Sequence, residues 1–222
     1  MRILATIHNE GFTCQIIEHD DGRVEMPKAD ADIDADGANG QNGKRPAYMV
    51  DNKGSELLGN GGMTMRDGKV VGNTSWFDDI VILDGQGNPR EFPGGIIASK
   101  TSYRFPGKDA NDPAAYVDSE TVPYIVVPPS VISGTKGAVM GCKARATNLK
   151  TGLSAEGLVA DGGPRNKVGE LSIEMARRLG LNPSPRTGGV EEPIIRYECW
   201  PGVPANVDGV EYRLQRSNGT YV

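Results

Sequence analysis

The chain has 222 residues, thirty of them Gly and fifteen Pro, with a formal net charge of −5 and a pI near 5.2. That length suits one domain with a sizeable core, and the density of turn formers favours many short strands over a helical bundle. The acidic balance disfavours nucleic acid as a partner and suits a polycation, and no stretch approaches the length of a membrane helix.

In chain order, Arg2–Ile7 and Thr13–Glu18 read as two strands, followed by a turn at Asp20-Asp21-Gly22. They form an N-terminal hairpin or arm over residues 1–28. Residues 29–46, ADADIDADGANGQNGKRP, are so rich in Asp, Gly and Asn that a loop is expected. Short strands are expected at Tyr48–Val50, Ile80–Leu83 and Gly95–Ser99, with turns at Gly59–Gly62, Asp67-Gly68 and Asp84-Gly85. Val122–Val127 is a β-branched run stopped by Pro128-Pro129, which marks a buried strand. Ala138–Asn148 and Leu153–Ala160 pair across the turn Lys150-Thr151-Gly152, and a loop opens at Asp161.

The one convincing helix spans Gly169–Leu179. Leu171, Met175 and Leu179 recur at helical spacing, Arg177 and Arg178 suit the last turn, and Gly180 suits the left-handed position beyond it. Ile194–Cys199 and Val210–Leu214 complete the strands. Mostly β with a late helix predicts a small closed barrel in a single domain, residues 29–222. Cys14, Cys142 and Cys199 are odd in number and lack the spacing of zinc or redox motifs. They read as buried free thiols, or as one bridge and one free thiol in an oxidising compartment.

Four blocks then resemble one family. The run AEGLVADGGPRNKVGELSIEMARRLGL, from Ala155 onward, is similar to the signature of family 75 chitosanases, in which a strand ends in Asp and a Gly/Pro loop closes on Gly-Glu-x-Ser. YVDSETVPYIVVPP (Tyr116–Pro129), the acidic ADIDADGANG (Ala31–Gly40) and the closing RYECWPGVPANVDGVEYRLQ resemble further blocks of that family, in the same order. The resemblance covers the chain from about residue 29. It departs at Ala35, where fungal members carry a Cys. It implies a six-stranded, double-psi-like barrel and inverting hydrolysis of chitosan, the partly deacetylated β-1,4-glucosamine polymer, without metal or cofactor. It maps the catalytic carboxyls onto Asp161 and Glu170.

The residues allow that chemistry. A glycosidic bond needs one carboxyl to protonate the leaving oxygen and, in an inverting enzyme, another roughly 6.5–9.5 Å away to activate water. A strand end and a helix start joined by a turning loop bring Asp161 and Glu170 towards that separation. Glu170 is read as the donor and Asp161 as the base, although a carboxylate in a helix's first turn is favoured as the anion, which suits a base better. Without the resemblance, both residues have plainer readings, as a helix N-terminal charge and a turn former.

Asp32, Asp34 and Asp36, with Asp30, suit the ammonium groups of a glucosamine chain, or simply form a solvated turn. The D-x-D-x-D-G at 32–37 imitates a calcium loop, but the twelfth position is Gly43 and cannot supply the bidentate Glu. Asp118 and Glu120 either line the cleft or cap a turn. Trp76, Phe77 and Tyr103 either stack on sugars or pack in the core. Ser133 and Ser172 lack the pattern of a serine hydrolase.

The partner is therefore a cationic polysaccharide bound by a monomer, with no nucleic acid and no membrane. The opening MRILATIHNEG shows no classical signal peptide, so release or export by another route is expected, with a cytoplasmic location as the alternative. The competing functional readings are a non-catalytic carbohydrate-binding or phage or cell-surface protein of the same fold, and a hydrolase of another amino-sugar polymer.

Overall fold

The computed structural model describes residues 1–9, 11–216 and 218–222, with the backbone alone for Asn42. Its contacts divide the chain into two compact units, Met1–Asp34 with Thr121–Val222, and Ala35–Glu120. The first unit begins with β1 (Arg2–Asn9), β2 (Phe12–Glu18) and β3 (Val24–Asp34). The second contains β4 (Tyr48–Met49), β5 (Met63–Arg66), β6 (Lys69–Gly72), the one-turn helix α1 (Phe77–Ile80), β7 (Glu91–Phe92) and β8 (Ile96–Ile97). The chain re-enters the first unit at β9 (Tyr124–Val127) and α2 (Pro129–Gly134), followed by β10 (Cys142–Asn148) and β11 (Ser154–Gly162). β12 (Glu170–Ser172), α3 (Ile173–Arg178), β13 (Val190–Val207) and β14 (Val210–Tyr212) complete it.

The first unit is the small barrel expected from the sequence. Its six strands run β3-β12-β9-β11-β10-β13, and β13 pairs back onto β3 to close the sheet. β3 with β12 and β9 with β11 are parallel; the other four pairings are antiparallel. Closure removes the exposed edges that a six-stranded open sheet would present. Alternate positions of the strands are buried: Ala29, Ala31 and Ile33 on β3, Ala144 and Ala146 on β10, and Ile195, Tyr197 and Cys199 on β13. The small alanines leave room for Tyr197, whose hydroxyl donates to the Asp30 carbonyl at 2.8 Å. All three cysteines are free and buried. The β1–β2 hairpin joins the barrel's sheet through β3, so the expected arm boundary at residue 28 falls inside a strand.

Two further expectations change in the first unit, and in the second the strand expected at Ile80–Leu83 is instead the end of α1 followed by isolated bridges at Val81 and Leu83. The acidic stretch is not a loop throughout: β3 runs to Asp34. Its sequence A-D-A-D-I-D alternates, and Ala29, Ala31 and Ile33 are buried while Asp30, Asp32 and Asp34 are only half-buried. Composition signalled a loop, but period-two alternation won. The helix expected over Gly169–Leu179 starts four residues late, at Ile173. Glu170 and Leu171 pair with both β3 and β9, and Ser172 with β3, so tertiary pairing overrides the helical spacing of Leu171. The end of the helix is as expected. Gly180 is left-handed (φ 69°), its N–H bonds the Arg177 carbonyl at 3.1 Å, and Leu181 N–H bonds the Ala176 carbonyl at 2.9 Å.

The second unit holds a three-stranded sheet, β4-β8-β7, and the hairpin β5–β6 turning at Asp67-Gly68. Ile82, Ala98, Ala115 and Tyr116 form a core cluster with Phe92 packed against it.

Ser172 joins strand to helix. Its hydroxyl accepts from Met175 N–H at 3.1 Å as the N-cap of α3, accepts from Tyr124 N–H at 2.9 Å, and donates to the Val122 carbonyl at 2.8 Å. Replacing a capping Ser by Ala costs about 1 kcal/mol, and orphaning a buried N–H adds a comparable amount. Ser172→Ala is therefore expected to lower stability by about 2 kcal/mol, read as a reduced midpoint in urea at unchanged slope.

Candidate active site

Strand pairing assembles the site. Asp161, on β11, is the register partner of Val126 on β9, and Glu170, on β12, is the partner of the same Val126 from the other side. Glu170 is also paired in register with Asp32 of β3. Residues in register across neighbouring strands share a face of the sheet. Asp161, Val126, Glu170 and Asp32 thus form one row across four strands. At the usual spacing of strands, Asp161 and Glu170 stand about 9–10 Å apart at Cα. The register of β11 shifts between Val159 and Asp161. Such a bulge re-aims the side chains that follow it.

Asp34, two residues beyond Asp32, brings a carboxylate oxygen within 4.8 Å of one of Asp161. Asp161 is itself buried, and one of its oxygens accepts from Gly162 N–H at 2.7 Å. Glu170 keeps a quarter of its side chain exposed, so it is neither sealed nor freely solvated. Gly163 leaves space for it. A Cβ there would sit 2.9 Å from Glu170 Oε2 and 3.0 Å from Val126 Cγ1.

This crowding sets the charge states. Burial, then the neighbouring charges of Asp34 and Asp32, push the Glu170 carboxyl up to about 7, against an opposing pull from Lys167. Burial, then Asp32, push Asp30 up to about 6. Lys167, in the loop between β11 and β12, bonds Asp32 Oδ2 and lies 3.6 Å from Glu170 Oε1. Burial works against its charge, but Asp32, Glu170 and Asp30 outweigh that and raise it above the ordinary lysine value.

Of the residues singled out in the sequence, Asp32, Asp34, Asp161 and Glu170 come together on the first unit. Asp36, Asp118 and Glu120 belong to the second. There Asp36 is buried, and Asp118 Oδ1 accepts from Glu120 N–H at 3.0 Å, the geometry of a turn cap. Tyr103 is buried edge-on against Phe105 at 5.9 Å, so its expected alternative as a core aromatic holds, while Trp76 is partly exposed. Glu170 is not in a helix's first turn, so the helix-dipole argument for a low pKa does not apply to it. Sequence reading missed Lys167, which lies three residues before Glu170 in the loop it had identified. No protein-family model and no curated protein matches the chain.

A carboxyl raised above its unfolded value of 4.5 binds more protons in the native state between pH 4.5 and 7. Its stabilising contribution is full below 4.5 and is lost as pH rises through about 7. The shift corresponds to about 3 kcal/mol when unscreened, and partial exposure reduces it to about 2. Glu170→Gln is therefore expected to match the parent near pH 4.5 and to exceed it by about 2 kcal/mol at pH 8. Urea unfolding at the two pH values measures the difference.

Proposed function

We propose that the protein is an inverting, endo-acting glycoside hydrolase that cleaves β-1,4 linkages of chitosan, with Glu170 as general acid and Asp161 as general base. The observation that carries this reading is the pairing of the two carboxylates to opposite sides of Val126. Two strand spacings leave room for a sugar linkage and a water between carboxyls, the arrangement that favours inversion over a covalent intermediate.

The roles follow from the environment. A carboxyl held protonated up to about pH 7 by burial and by Asp34 is suited to give its proton to the leaving glycosidic oxygen. Asp161 accepts a proton from water as the water oxygen bonds the anomeric carbon from the opposite face. The products leave Glu170 ionised and Asp161 protonated, and exchange with solvent restores both. The substrate class rests on the resemblance to family 75 chitosanases together with the row of carboxylates on β3, β12 and β11. Protonated amines of glucosamine are the matching charges. A polymer of that size is met outside the cell, which favours a secreted or released monomer.

Glu170→Gln and Asp161→Asn are each expected to lower turnover on chitosan at least ~100-fold, the lower range for loss of a general acid or base. Proton NMR of early products should show the anomer opposite to the cleaved β linkage. Retention of the β anomer, or near-parent turnover in either variant, would overturn the assignment. Because the acid must carry its proton, activity should decline as pH rises through about 7, read as the alkaline limb of the pH–kcat profile.

A further inference from the structure

We propose that Lys167 is an internal stand-in for the substrate's ammonium group, seated against Asp32 and Glu170 in the free protein and displaced when a glucosamine unit binds. The inference rests on the proposed reading of the site as a binder of cationic sugars, and it adds a built-in competitor to that site.

The geometry has three parts. The Lys167 ammonium bonds Asp32 and stands 3.6 Å from Glu170, whose backbones are register partners on β3 and β12. One cation thus bridges two carboxylates of the row. The backbone beside it is anchored independently: Val168 is buried, and its carbonyl accepts from Asn9 Nδ2 at 3.0 Å. The lysine stem is about a third exposed. A flexible four-carbon stem on a pinned backbone can swing its ammonium out while the loop stays in place.

The exchange conserves charge. An alkylammonium leaves the Asp32 carboxylate and the Glu170 carboxyl, and another alkylammonium, on C2 of the sugar, takes its place. A neutral N-acetylglucosamine unit has no charge with which to displace it. Lys167 therefore discriminates by degree of deacetylation, because only a cationic residue recovers the interaction lost when the lysine departs. The other charged or titratable groups that act on or with Glu170 are Asp32 and Asp34 of β3 and Tyr197 of β13, together with Asp161 across Val126 on β11. Substrate binding thus exchanges a fixed cation for one carried by the sugar to be cleaved.

The test uses the full chain and a fully deacetylated glucosamine hexamer, with the N-acetylated hexamer as control. Calorimetric titration at low salt and low temperature measures binding to the parent, Lys167→Met and Lys167→Arg. Methionine keeps most of the stem and removes the charge. The proposal expects Lys167→Met to bind the deacetylated hexamer 3- to 10-fold more tightly, Lys167→Arg to stay near the parent, and the acetylated control to be unaffected. Weaker or unchanged binding by Lys167→Met would overturn it, as would equal tightening towards both hexamers. Folding of each variant is checked by its urea midpoint, and Lys167→Gln replaces Lys167→Met if the latter does not fold. A carbon-13 titration of the Glu170 carboxyl provides a readout independent of turnover. Its pKa should rise in Lys167→Met, and a fall or no change would also count against the proposal. Tightened binding without chitosan cleavage by the parent would sink the hydrolase reading and leave this inference standing. Cleavage by the parent without tightening would do the reverse.

Discussion

The chemistry of the first unit depends on one constraint: Glu170 is fixed by hydrogen-bonded pairing between Asp32 on one side and Val126 on the other. Its backbone cannot move away from the aspartates of β3 without breaking a ladder of the barrel. Like charges held so close, in a partly desolvated place, resist simultaneous ionisation. Two forms of relief are visible, a proton retained to about pH 7 and the ammonium of Lys167. In the proposed reading, the retained proton is the one a general acid donates, and the ammonium of Lys167 holds the place that a cationic sugar takes.

Barrel closure makes that constraint rigid. β3 is paired in parallel with β12 and antiparallel with β13, so the strand carrying the aspartates is held on both sides. Its alternation then fixes the register. A one-residue slip would turn Asp30, Asp32 and Asp34 into the buried positions of Ala29, Ala31 and Ile33. Burying three carboxylates without partners costs far more than any gain from relieving their mutual repulsion. The acidic row is therefore held in place by the apolar residues that alternate with it.

The fold class was legible because turn residues punctuate short apolar runs, and the end of α3 was legible because Gly180 and the two arginines are local signals. The start of α3 was not. Leu171 and Met175 stand at helical spacing, but pairing of residues 170–172 with β3 and β9 depends on chain segments about 45 and 138 residues away, and no local pattern reports it. The acidic stretch failed for a different reason. Its alternation was present in the sequence, but alanine is a weak apolar signal, and Asp, Gly and Asn content dominated the reading. Asp161 and Glu170 stand out in the sequence only through the family resemblance of the segment that joins them. Lys167 went unremarked because a lone loop lysine carries no signal until its neighbours across the strands are known.

Moving Glu170 from helix to strand also changes the argument about roles. In a helix's first turn the backbone dipole would favour the anion and draw the group towards the part of a base. On β12 that stabilisation is absent, and burial with Asp34 nearby dominates instead. Asp161 differs in one respect that matters: its carboxylate accepts the Gly162 N–H at 2.7 Å. A backbone donor to a carboxylate favours the ionised form. Asp161 is also buried, with a carboxylate oxygen of Asp34 within 4.8 Å, so the fixed backbone donor is what distinguishes its surroundings from those of Glu170.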